Sequence, residues 1–406
     1  ERSIDRVAPI TSTCPMSSIT NVPRPPRLAH PGQGPGSMRV GIAIPAYRSA
    51  DLIGRTLQSV VAQRHENWTC VVVNDGAEEG TRQVVERIGD SRVRYVCDGA
   101  RRGQFANFNR AILEVLRDNP DVIRLLCSDD VLYPDDLGDM VRVFATHARV
   151  GLVATHYDAI DADDRLIFRV DVRGRDDLVM RGRDYLLKGV AVGNTIGGPS
   201  SVAIRREAIE TAGLFDTRVN HSGEADLWHR IANLWDVAWV GHRAGLQYRI
   251  HAASVTGRGQ YSIAKFTDQI QLVRRVASTE AVLGGRWWIH QYTIGRLHSL
   301  NLQLAVALMR RREWQGVRAA LLGSLREGLL FYAPFWIPRL PYQLIQGLRG
   351  QSPSRRLLWR RVHEHLQPPR TIFSPPIAQP TPGEDTTPAG GGDRMPRASV
   401  AEVGKR

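Results

Sequence analysis

Val122-Ile123-Arg124-Leu125-Leu126-Cys127-Ser128-Asp129-Asp130 is a largely apolar run that stops at a small residue and two adjacent carboxylates. A short apolar run bounded by turn residues is the signature of a buried strand, so the acids should emerge at its carboxyl end. In open α/β sheets that edge is where ligands bind. Two neighbouring carboxylates there suit a hard divalent cation. In isolation such a pair is as readily a turn or a helix cap, so its meaning depends on what surrounds it.

Toward the N-terminus, Met38 to Ile44 reads as a strand ended by Pro45-Ala46-Tyr47. A helical pattern follows (Leu52, Ile53, Leu57, Val60, Val61), with Ser49 and Asp51 as cap candidates. Thr69 to Val73 is a second strand, closed by Asn74-Asp75-Gly76. A helix from Thr81 to Ile88, a strand from Val93 to Val96 and a helix from Ala106 to Leu116 complete the approach to Val122. Strands alternating with helices mean βαβ units and a parallel sheet. No G-x-G-x-x-G follows the first strand, so the dinucleotide-binding fingerprint is missing. Beyond Asp130, a helix is expected at Pro134–His147, a strand at Val150–His156 and a hairpin around Asp161–Asp164. The loop Gly197–Ser201 should run into a strand ending at Ile204, and Arg206–Ala212 and Glu224–Leu234 read as helices. Val237–Val240 and Gly245–Ile250 read as two last strands. Polar features thus fall at the carboxyl ends of the first, second and fourth strands, outlining one crevice.

In this order the motifs resemble the family 2 glycosyltransferases, inverting enzymes of the GT-A nucleotide-diphospho-sugar transferase fold, over about residues 38–255. Pro45 and Tyr47 match the opening P-x-Y beside the nucleotide, and Asp75 the acid that binds the base. Asn74 and Ala77 stand where the family has Asp and Ser. Arg102, Gly103 and Asn109 match a stretch bordering the nucleotide, with Phe108 in place of the usual Arg. Ser128-Asp129-Asp130 matches the D-x-D-type motif: Asp129 would lie near the ribose, and Asp130 would bind a divalent cation, Mn2+ or Mg2+, on the diphosphate. Gly198-Pro199-Ser200 and Gly213–Asp216 resemble loops on the acceptor side, joined there by Trp228. A carboxylate four residues before that Trp is the family's catalytic base, which selects Glu224, with Asp226 as the alternative. His251 would complete the metal shell or touch the diphosphate.

The resemblance implies an α/β chain with a mostly parallel central sheet flanked by helices over residues 38–260. It implies transfer of a sugar from a UDP-, dTDP- or GDP-linked donor to a hydroxyl of a glycan or lipid-linked acceptor, in bacterial cell-surface polysaccharide synthesis. Two rivals stand beside it. One is a non-catalytic nucleotide-sugar-binding relative, suggested by Asn74, Phe108 and Glu224. The other is a sugar-phosphate nucleotidyltransferase, which needs a Gly-rich basic loop where this chain has Pro45-Ala-Tyr47.

Residues 261–365 change to helices alone, and residues 1–37 and 366–406, rich in Pro and Gly without apolar periodicity, are expected to be disordered. The chain starts with Glu rather than Met, so its native start is expected upstream. Of the net charge of +13, a surplus of eleven arises between Ser262 and His365, where sixteen Lys or Arg face five acids. No nucleic-acid module accompanies that charge, which argues against a nucleic-acid partner. Arginines among Trp287-Trp288, Trp314, Phe331-Tyr332, Phe335-Trp336 and Trp359 fit an anionic membrane surface; the alternative is a helical cap packed on the catalytic domain. Four cysteines without C-x-x-C spacing, no signal peptide and no long uncharged apolar run point to a cytoplasmic chain, peripheral at the inner face of the plasma membrane if the helices bind lipid.

Overall fold

The computed structural model describes residues 35–76, 79–170, 176–192, 194–219, 221–251, 263–277 and 287–348. The tails expected at 1–37 and 366–406 lie outside them, apart from a single 3-10 turn at Pro35–Ser37. So do Ala77, the end of the segment after His251, and Trp359.

Strands β1 (Val40–Ala46), β2 (Trp68–Asn74), β3 (Val93–Val96) and β4 (Val122–Leu125) alternate with helices α1 (Ile53–Val61), α2 (Glu79–Ile88) and α3 (Gln104–Leu116). They form the parallel half of one sheet, in the spatial order β3-β2-β1-β4. Beyond β4 the sheet turns mixed. Strand β9 (Val202–Arg205) runs antiparallel to both β4 and β6 (Val150–Ile160). Strand β10 (Asp236–Arg249) then pairs parallel with β6, and the two-residue β5 (Val131–Leu132) closes the edge. A hairpin strand β7 (Leu166–Phe168) returns along β6, as the turn at Asp161–Asp164 required. Helix α4 (Asp136–Thr146) precedes β6, and α6 (Arg206–Ala212) and α7 (Gly223–Ala232) follow β9.

Three expectations change. The two last strands are one, β10, whose pairing with β6 is irregular between Trp239 and Ala244. That break interrupts the alternation from which a single strand would have been read. Strand β8 (Leu178–Met180) and helix α5 (Gly182–Val192) carry too little periodicity to be found in advance. Pro45 lies inside β1 rather than after it, two residues past Ala43, where the ladder with β4 stops.

The strand pattern divides the core in two. Ile42 and Ile44 point to one face, with Leu57 and Phe144; Ala43, Val71 and Val73 point to the other, with Phe108 and Ile112. Gly41 is needed on that second face, because a Cβ there would come within 2.1 Å of the Val115 side chain. Arg124, the charge inside the opening run, is fully buried. Its Nε donates to Asp136 Oδ2 at 2.8 Å and its Nη1 to the carbonyls of Leu125 and Val202. A buried charge is tolerated when it is paired and hydrogen-bonded in this way.

After β10 come α8 (Ile263–Ala277), α9 (Trp287–Arg310), α10 (Trp314–Arg326), α11 (Ala333–Trp336) and α12 (Leu340–Leu348). Phe266, Ile270, Ile294 and Leu297 from these helices, and Tyr332 from the turn before α11, belong to the same core as Ala43 and Phe108. No helix among the described residues is long and apolar enough to cross a membrane.

Candidate active site

The register brings the ends of β1, β2 and β4 to one edge: Ala46 pairs with Asn74, and the Leu126 N–H donates to the Ala43 carbonyl at 3.1 Å. Past that edge the chain turns at Ser128-Asp129-Asp130. Asp130 is 1% exposed, and its Oδ1 accepts the Arg249 backbone N–H at 2.8 Å. Its Oδ2 is buried and has no hydrogen-bond partner among the described residues. Burial, and after it the neighbouring Asp129 charge, push the Asp130 carboxyl up to about 8. The His251 Nε2 lies 3.0 Å from Asp129 Oδ2, so the histidine closes on the first acid rather than the second. Ser128 Oγ shares a 2.7 Å hydrogen bond with Ser49 Oγ.

These groups fit a cation. An orphaned buried carboxylate oxygen is costly, and a divalent ion would supply its missing partner. Ligand atoms of Cys127, Asp129 and Asp130 lie within 4.8 Å of one another. Burial and the two acids push the Cys127 thiol well up, which keeps it protonated and a poor ligand. The oxygens of Asp129 and Asp130, with the His251 imidazole, are therefore the donors suited to Mn2+ or Mg2+.

Asp75 stands at the end of β2, its N–H bonded to the Ala46 carbonyl. Its carboxylate accepts the backbone N–H groups of Arg102 (2.5 Å) and Gly103 (2.8 Å), so it holds the loop that starts α3. A carboxylate at a helix N-terminus satisfies donors that the helix itself leaves unpaired. The Arg102 guanidinium turns away to Asp98. The half-exposed Tyr47 ring lies beside Gly76 and under the Arg101 guanidinium, 4.5 Å from its centroid, and offers a flat surface at the crevice mouth. Asn109 exchanges two hydrogen bonds with the Phe215 backbone, which ties α3 to the Gly213–Asp216 loop instead of facing the crevice.

The loop at Gly197–Ser201 joins the two halves. Ser200 is buried and its Oγ accepts the Cys127 N–H at 2.8 Å, beside Asp130. Gly198 and Pro199 stay half-exposed. The Gly197 carbonyl accepts the Trp228 indole N–H at 3.2 Å, and Trp228 is fully buried against Phe215. Gly223, at the start of α7, packs on Phe105 of α3, where a Cβ would come within 2.6 Å of the ring. The first turns of α3 and α7 thus converge on the crevice.

Glu224 and Asp226 are two residues apart on α7, about 200° around a helix, so they point to opposite sides. Glu224 shares its face with Trp228, four residues on. Asp226 is 2% exposed and bound by Arg230 Nε (2.9 Å) and by Arg275 of α8. Sequence reasoning gave Ser49 only as a helix-cap candidate, and Arg249 only as part of the Tyr248–Ser254 segment that resembles the family's late motif, with no role of its own. Arg249 is fully buried and reaches the carbonyls of Asp129 and Asp161 and the carboxylate of Asp164. Its position between Tyr248 and His251 was the only available signal.

A mixed sheet with acids and a polar loop at the carboxyl ends of its parallel strands defines the GT-A class of fold. Over residues 41–213 the chain matches the family model described as "Glycosyl transferase family 2". It is 28% identical over 227 residues to an uncharacterised glycosyltransferase of Nostoc sp., a match covering 53% of this chain and 66% of that protein. It is 32% identical over 127 residues to the succinoglycan biosynthesis protein ExoO of Rhizobium meliloti, covering 31% and 35%. Among solved structures it resembles S. aureus TarS 1-349 in complex with UDP-GlcNAc, with a TM-score of 0.54, 14% identity, and coverage of 78% of this chain and 93% of that one. That likeness establishes the fold.

Proposed function

We propose that this chain is an inverting transferase that moves a sugar from a UDP-, dTDP- or GDP-linked donor to a hydroxyl of a glycan or lipid-linked acceptor, in bacterial cell-surface polysaccharide synthesis. The observation that carries the reading is the Gly197–Ser201 loop. It binds the start of the acid turn through Ser200 and α7 through Gly197, which supports a reading in which the metal-suited carboxylates and the Glu224 face border the same crevice. The succinoglycan relative supports a polysaccharide product, and the UDP-GlcNAc complex of TarS makes UDP-sugars the first donors to try.

The Tyr47 ring and the Asp75 turn would receive the base, and Asp129 the ribose. Asp129, Asp130 and His251 would hold a divalent cation, which when bound offsets the charge developing on the departing diphosphate. Glu224 acts as general base, taking the proton of the acceptor hydroxyl as it attacks opposite the leaving group. The first turn of a helix favours the ionised carboxylate that a base requires. Asp226 is unsuited to that task because two arginines already neutralise it.

Two substitutions test the assignment. Glu224→Gln should cut transfer by ~10²–10⁴-fold while leaving donor binding unchanged in thermal-shift titrations with Mn2+ and a nucleotide-sugar panel. Asp226→Asn should lower Tm and leave turnover per folded molecule largely intact. Normal transfer by Glu224→Gln would sink the base assignment, and a product retaining the donor's anomeric configuration by NMR would sink inversion.

A further inference from the structure

We propose that the outer face of α10 and the turn that follows it form a docking surface for an anionic lipid membrane. Val317, Ala320 and Ser324 are the buried side of α10. On its outer side Trp314, Leu321 and Leu325, spaced seven and four apart, form one stripe. Trp314 is 62% exposed and Leu325 51%; in the next turn Leu330 is 75% and Phe331 71% exposed. A single exposed apolar side chain is ordinary, but a continuous stripe of this size marks a contact surface. The aromatic pair that sequence reading assigned to this role, Phe335-Trp336, packs inward instead. Phe335 lies on Gly295, and the Trp336 indole donates to the Leu329 carbonyl at 2.7 Å. The side chains of Trp287 and Trp288 lie outside the described residues.

Charge identifies the occupant. Arg310, Arg311 and Arg312 lead into α10 and Arg318 and Arg326 lie on it, and none makes an ion pair among the described residues. Of the two acids in this stretch, Glu313 and Glu327, the second is already bound by Arg274. A second copy of the chain on this face would oppose unpaired arginines with more arginines. Anionic headgroups supply the missing countercharge while the apolar stripe enters the acyl boundary. No described helix spans a bilayer, so the surface lies on the membrane. The proposal rests on the transferase reading only in giving the dock a purpose, the presentation of a lipid-linked acceptor.

The test is flotation of the full chain with phosphatidylcholine vesicles, with and without phosphatidylglycerol. Wild type should co-float with the anionic vesicles alone. Leu330→Ser with Phe331→Ser should weaken binding ~10-fold or more, and Arg310→Gln with Arg311→Gln about fivefold per charge removed, with unchanged Tm in both. Absence of binding, equal binding to neutral vesicles, or undiminished binding by both pairs would overturn the proposal. So would a dimer in sedimentation that Leu330→Ser with Phe331→Ser converts to monomer. Metal-dependent hydrolysis of a nucleotide sugar, measured without vesicles, separates the two readings. Hydrolysis without flotation ends the dock alone, and flotation without hydrolysis ends the transferase reading alone.

Discussion

Asp130 is buried where its charge is unwelcome and one of its oxygens has no partner among the described residues. Its carboxyl, pushed up to about 8, keeps its proton through a range in which the unfolded chain, with an ordinary value near 4, has lost it. The unfolded state therefore binds fewer protons than the fold between those values. The metal-free protein should lose about 1.4 kcal/mol of stability per pH unit as pH rises from about 4 to about 8, on account of this residue. A cation must displace the same proton, so Mn2+ affinity should rise toward pH 8 and level off above it. Asp130→Asn keeps an oxygen for the Arg249 N–H and removes the repulsion with Asp129. We expect its metal-free Tm to equal or exceed wild type near pH 8, with Mn2+ stabilisation and transfer both lost. Thermal melts across pH, with and without Mn2+, provide the check, and an undiminished Mn2+ shift in Asp130→Asn would exclude it as a ligand.

At the scale of elements, β10 does most to assemble the site, although its sequence divides it into two. Its last residue, Arg249, reaches across to the acid turn through both backbone and side chain and ties the β6–β7 hairpin tip to the same point. Five guanidinium donors in a fixed fork make such multiple bonding available to Arg and not to Lys. Arg249→Met should cost roughly 2–4 kcal/mol and also weaken Mn2+ binding, because the Asp129-Asp130 turn loses its brace. Arg249→Lys should recover part of the stability and little of the metal affinity. Calorimetric Mn2+ titration of both variants distinguishes a positioning role from packing alone, which would leave metal affinity at the wild-type value. The Asp130-to-His251 order was legible as a motif; the brace was not, because it joins positions 119 residues apart.

At the scale of the molecule, the helices beyond residue 263 are bound to the sheet by a common core. Phe266, Ile270, Ile294, Leu297 and Tyr332 are all buried in it, and each is worth about 1.5–3 kcal/mol. Their sum is comparable to the whole stability of an ordinary domain. A chain ending at residue 261 should therefore lose cooperative melting and bind a hydrophobic dye. An unchanged Tm would mean that the helices contribute nothing to the catalytic half. The sequence allows two readings of this region, a cap on the domain or a membrane surface. One side of these helices packs on the domain and the other is exposed and basic, so the alternatives concern different faces.

Sequence alone was enough to determine the parallel half of the sheet, the family resemblance and the edge at which the acids gather. Each follows from local periodicity and from short motifs in a fixed order, which need no distant partner. Tertiary structure decided that Asp226 is bound by two arginines, that Asn109 and Ser200 hold loops together, and that Phe335-Trp336 point inward. Those outcomes depend on contacts between residues tens to more than a hundred positions apart, such as Asp226 with Arg275 and Asn109 with Phe215. The Asp129-Asp130 pair could be read from the chain as a candidate for metal; the orphaned oxygen that makes Asp130 fit one exists only after β10 has folded over it.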